Sequence, residues 1–182
     1  MKRVLLFSLI FFVTCLCVFA YETVIIKFPE GQLWVRGYYK KVGNEAILQY
    51  VPNGQSKDNW IESVVIHSYN HSTFPINVFI NNNNAKMVKI NPTAQYRTLK
   101  LRADDAIIGR CTEDYKNIKG QCEFFRATRA HGGIVTIHYM NKNKEVFMNN
   151  YSEWYNRIKR AKFYNSYYRN ERTFNKSEYF EL

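Results

Sequence analysis

The sequence contains no Gly-x-Ser-x-Gly step, no Gly-rich loop of the phosphate-cradling kind and no Cys-x-x-Cys pair. The first absence removes the strained elbow on which an α/β hydrolase presents its serine. The second removes the backbone nest for nucleotide phosphates, and the third removes the spacing of a dithiol redox centre. Beyond residue 20 no apolar run approaches the roughly 20 residues that a membrane helix needs. Acidic residues are few, 15 Asp+Glu against 26 Lys+Arg. No internal repeat is visible, and no pattern calls for a cofactor.

What is present begins with Lys2 and Arg3, an uncharged apolar run from Val4 to Phe19, and Val18-x-Ala20. A positive start, a short apolar stretch and a small-residue cleavage pattern read as a secretory signal peptide over residues 1–20. The chain from residue 21 then keeps 24 Lys+Arg against 15 Asp+Glu, a formal charge of +9. This favours an anionic surface or an acidic protein as partner, and export disfavours nucleic acid. The expected place is the periplasm or beyond, with no transmembrane helix in the mature chain.

Cys111 and Cys122 are the two cysteines beyond the signal segment. In an oxidising compartment an even pair is normally bridged, so a disulfide closing a hairpin loop is expected. Its stabilisation on the chain-entropy estimate is about 3 kcal/mol.

Length predicts one domain after the signal, over residues 21–162. Strands are expected at 23–28, 33–39, 46–51 and 60–69, because these runs are β-branched and aromatic and are separated by Pro/Gly/Asn turns such as Pro52-Asn53-Gly54. The period then changes. Ile76, Phe79, Ile80, Met87 and Val88 predict a helix from about Pro75 to Lys89, capped by Ser72 or Thr73, although the Asn81 to Asn84 run is unfavourable to it. Further strands are expected at 96–102, 106–111, 122–129 and 134–140, with Asp104-Asp105 as a turn. Asn150 and Glu153 have capping-box spacing ahead of a helix whose apolar face is Tyr151, Trp154, Tyr155 and Ile158. The fold class is therefore α+β: an antiparallel sheet of about seven or eight strands packed by two helices. Trp60 is expected to anchor sheet to helix.

His67, His71, His131 and His138 lack the flanking thiols and carboxylates of a metal site, so no metal ligands are assigned. His67 and His138 are the candidate functional histidines, because a carboxylate on a neighbouring strand would make either a general base. No catalytic residue is assigned.

The C-terminal segment 163–182 loses its apolar period and reads as a frayed, basic, tyrosine-rich tail. There Tyr164, Tyr167 and Tyr168 interleave with Arg160, Lys162, Arg169 and Arg172 as a candidate binding surface for a polyanion or a membrane face.

The Trp34-x-x-Gly37-Tyr38 step, the run from Tyr50 to Glu62 and a late hairpin followed by an amphipathic helix resemble small exported bacterial proteins of unassigned function. That resemblance implies an antiparallel sheet carrying helices, similar to the PsbP and Mog1 group. It implies no catalytic residues. The reading as a whole is an exported, non-enzymatic binding protein at an envelope or host interface. Two alternatives stand beside it: a small secreted hydrolase using His67 or His138, and a structural subunit of an envelope or secretion assembly.

Overall fold

The computed structural model describes residues 22–130, 132–165 and 179–181. Among the described residues ten strands and three helices follow one another. β1 is Glu22–Ile25, β2 Trp34–Val42, β3 Glu45–Pro52 and β4 Glu62–Asn70. Helix α1 is Ile76–Ile90. Then come β5 Gln95–Leu101, β6 Asp105–Thr112, β7 Gln121–Ala130 and β8 Gly133–Asn141. α2 is Lys144–Asn149, α3 Tyr151–Arg160, β9 Lys162–Asn165 and β10 Tyr179–Glu181.

Seven strands form one sheet in the order β2-β3-β4-β8-β7-β6-β5, and every pairing in it is antiparallel. The order is that of two meanders, β2-β3-β4 and β5-β6-β7-β8, joined edge to edge where β4 meets β8. The expected α+β class, sheet size and disulfide are therefore present. The bridge Cys111–Cys122 joins residues that are directly opposite in the β6–β7 hairpin, with Cα atoms 4.0 Å apart.

Strand alternation gives the sheet two buried faces. On one, Leu48, Ile66, Phe124, Ile137 and Tyr139 meet Phe147 of α2, Trp154 and Ile158 of α3, and Val24 and Ile26 from the β1 segment. Tyr139 and Trp154 stack at 3.9 Å between ring centroids. On the other, Ile108, Phe125, Ala127 and Ile134 receive Ile76 and Ile80 of α1.

Several local expectations are corrected. Helix α1 has Pro75 at its N-cap with no side-chain cap, so neither Ser72 nor Thr73 serves there. Arg129 instead crosses from β7 to donate to the carbonyls of Ser72 and Phe74. The asparagine run stays helical because two of its amides are used: Asn83 Oδ1 and Asn84 Oδ1 accept from Arg110 Nη1 at 3.2 and 3.3 Å. Helix α2 was not expected; Asn143 caps it, accepting from Val146 N at 3.0 Å. Asn150 makes no side-chain cap and is the joint between α2 and α3. Asp105 is not a turn residue but a buried member of β6.

The boundary at residue 162 also moves. β9 pairs with β1, which pairs with β10, in a three-stranded antiparallel sheet, so 162–165 and 179–181 belong to the fold and are not frayed. Trp60 lies outside the strands, with Lys142 Nζ 4.1 Å from its ring centroid; Trp154 holds sheet and helix together.

The turn at Pro52-Asn53-Gly54 is built as its residues dictate. Gly54 takes φ +89, and Asn53 N donates to Leu33 O at 2.8 Å. At the β7–β8 turn Gly133 has φ +156, and a Cβ there would lie 2.2 Å from Tyr69 O, so only glycine fits.

Candidate functional site

The two candidate histidines fall on one face of the sheet. His67 on β4 is opposite Thr136 on β8, and His138 is opposite Val65, which sets the two imidazoles on a diagonal. Each finds a carboxylate. His67 Nε2 lies 3.1 Å from Glu45 Oε2, and His138 Nδ1 lies 3.0 Å from Glu123 Oε2. His138 Nε2 is in turn 3.2 Å from Thr136 Oγ1.

Beyond Glu123 the network continues sideways. Arg110 on β6 donates to Glu123 Oε1 and reaches Asn83 and Asn84 of α1. Polar side chains thus run across four adjacent strands, β4, β8, β7 and β6, and end on a helix. Burial alone would raise the Glu123 pKa, but the His138 and Arg110 partners outweigh it and hold the carboxyl below its usual range. Burial lowers the pKa of His67, with Glu45 opposing. Tyr69, stacked on His67, has its hydroxyl pushed up to about 12 by burial.

A carboxylate, an imidazole and a hydroxyl in this order have the connectivity of a nucleophilic triad. The geometry withholds the chemistry. Thr136 is fully buried, and its hydroxyl also donates to His67 O at 3.4 Å. Glu123 is locked by Arg110, whose side chain is as buried as its own. A reacting atom has no approach to that oxygen, so the network reads as a pin between sheet and α1. His71 sits in the turn after β4 at φ 63, and His131 lies outside the described residues. Among the described residues no group of three or more His, Cys, Asp and Glu side chains is arranged to hold a metal ion.

Of the basic–aromatic surface, Arg160 ends α3 and Lys162 begins β9. Both are exposed, and neither forms an ion pair among the described residues; Lys159 beside them lies over the Tyr155 ring at 5.7 Å. Tyr164 is a β9 residue paired in register with Thr23. Tyr167, Tyr168, Arg169 and Arg172 lie outside the described residues, as does the 1–20 segment.

The residues that sequence reasoning missed are the buried ions. Arg126 on β7 donates from Nε to Asp105 Oδ1 at 2.7 Å, and from Nη1 to the carbonyls of Ile158, Lys159 and Ala161 at the end of α3. Arg157 donates to Lys27 O and Phe28 O, both at 2.9 Å. Arg126, Arg129 and Arg157 are thus committed to carbonyls of the chain's own backbone.

An open groove of about 510 Å³ lies between β5–β6 and the α2–α3 pair. Its lining includes Arg97, Leu99, Gly109, Phe147, Met148 and Tyr151. No described helix is long and apolar enough to cross a membrane. No protein family and no curated protein matches the chain.

Proposed function

We propose that the chain is an exported, non-enzymatic binding protein that engages an anionic partner through the cationic corner at the end of α3. The observation that carries this reading is a division among the cations. Buried Arg110 and Arg126 are neutralised by Glu123 and Asp105, whereas Arg160 and Lys162 stand exposed without a carboxylate partner among the described residues. Unpaired surface cations side by side steer anions toward them.

The hydrolase reading finds no support in a hydroxyl that solvent does not reach. The assembly reading would be favoured by an exposed apolar patch or an unpaired sheet edge. Both edge strands of the seven-stranded sheet are bulged, β2 between Arg36 and Tyr38 and β5 between Thr98 and Lys100, and both carry Lys and Arg. Bulges and edge charges are devices against edge pairing.

Deleting 163–182 would strip β10 and most of β9 from β1, so charge substitution is the cleaner test. Retention on a sulfated polyanion matrix is measured against salt for the wild type, for Arg160→Gln/Lys162→Gln, and for Lys86→Gln/Lys89→Gln on α1 as a charge-matched control. Weaker retention of the first pair with the control unchanged supports the reading. Equal loss in both pairs reduces it to net charge and overturns the assigned corner.

A further inference from the structure

The groove between β5–β6 and α2–α3 carries a site of different chemistry from the α3 corner. Its volume of about 510 Å³ is that of a small-molecule cleft. Leu99, Phe147, Met148 and Tyr151 supply apolar walls, and Gly109 leaves the floor open. A Cβ at Gly109 would lie 3.4 Å from Leu99 Cδ1, so any larger residue there would narrow the groove from below. Met148 is exposed at 56 %, and a flexible thioether is suited to following the shape of an apolar guest.

The groove has one unpaired charge. Arg97 stands directly across from Gly109 in register and is exposed, and its side chain makes no ion pair or hydrogen bond among the described residues. The other arginine of the lining, Arg110, is already committed to Glu123 and to Asn83 and Asn84, and no carboxylate lines the groove. A planar guanidinium beside apolar walls matches a carboxylate in fork geometry, with the apolar body laid alongside. From this charge complementarity we propose that the groove binds a small amphipathic carboxylate, a free aliphatic acid whose head group meets Arg97.

The test uses the purified protein titrated with decanoate and with decyltrimethylammonium, both below micelle formation. Calorimetry gives affinity, and amide and methyl NMR shifts give position. Decanoate is expected to shift Gly109 and the Met148 methyl. Its binding is expected to weaken about tenfold or more in Arg97→Gln, as loss of a charge-assisted pair implies, and to be unchanged in Arg102→Gln. Hexanoate is expected to bind several-fold more weakly than decanoate, since each methylene buried adds to affinity. Equal binding of the two head groups, indifference to Arg97→Gln, shifts elsewhere, or response to an acidic peptide but not to decanoate would each overturn the proposal. Arg160→Gln/Lys162→Gln leaves decanoate binding intact, so failure here and failure of the α3 corner are separate results.

Discussion

Arg126 places its Nε 2.7 Å from Asp105 Oδ1 while its Nη1 closes the C-terminus of α3. One buried guanidinium therefore joins β6, β7 and the helix. Burial works against ionised Asp105, but hydrogen bonds from Arg126, Lys100 and Thr128 outweigh it and hold its pKa low.

Removing the cation leaves a buried carboxylate without its principal partner and several helix-end carbonyls without a donor. Arg126→Leu is therefore expected to lower stability by about 3–5 kcal/mol. Arg126→Lys is expected to lose less, since an ammonium keeps the charge but not the fork. Urea denaturation checks the magnitudes, and hydrogen exchange at Ala161 and Lys162 checks the site. An Arg126→Leu protein with unaltered exchange there would sink the account.

Trp154 and Trp60 separate two ideas of what anchors the helices. Trp154 is buried at 1 % exposure, stacked on Tyr139 and edge-on to Trp34 at 5.6 Å. Trp154→Ala is expected to cost about 3–5 kcal/mol by emptying the core between sheet and α3. Trp60→Ala loses a cation–π contact outside the strands and is expected to cost under about 1 kcal/mol. Comparable losses in thermal or urea unfolding would restore Trp60 as an anchor.

The element order was legible because turns and apolar periods are local: Pro52-Asn53-Gly54 punctuates the first meander, and the Trp154–Ile158 face marks α3. The buried ions were not, because a strand places Glu123 and Arg126 by partners far away in sequence. One signal was nevertheless present. A bridge between Cys111 and Cys122 fixes the hairpin register, and stepping it once along each strand sets Arg110 opposite Glu123. The strand character of 162–165 and 179–181 was hidden for a related reason: segments of three or four residues become strands only when β1 offers an edge. Asn150 and Glu153 carry the capping-box spacing, yet of the two asparagines it is Asn143 whose side chain accepts from a helix amide.

The same register bears on the disulfide. Its two cysteines are already cross-strand neighbours in a hairpin whose remaining pairs run from Asp105–Thr128 to Thr112–Gln121. Cys111→Ala/Cys122→Ala should lower stability by about 2–4 kcal/mol, mainly by freeing the unfolded chain. The hairpin itself should survive, with Arg110–Glu123 and Ile108–Phe125 still paired. Cross-strand NOEs lost throughout β6–β7 in the double variant would show that the bridge makes the register.

Acid should weaken the protein in two stages of the same sign. His67 titrates below its ordinary value because burial favours the neutral ring, so near pH 6 the unfolded chain binds more protons than the folded one. Stability therefore rises with pH from the folded pKa up to about 6.5, the ordinary histidine value, and levels above it. Asp105 and Glu123 are depressed carboxylates. Their contribution is complete above the ordinary carboxylate range near 4 and is lost as pH falls through the folded values. Urea unfolding from about pH 3 to 8 reads both stages. His67→Phe should flatten the slope below about pH 6.5 while leaving the steeper loss below about pH 4, which belongs to the buried carboxylates. A wild-type curve that falls with rising pH across this range, or a His67→Phe curve that keeps the upper slope, would contradict the assignment.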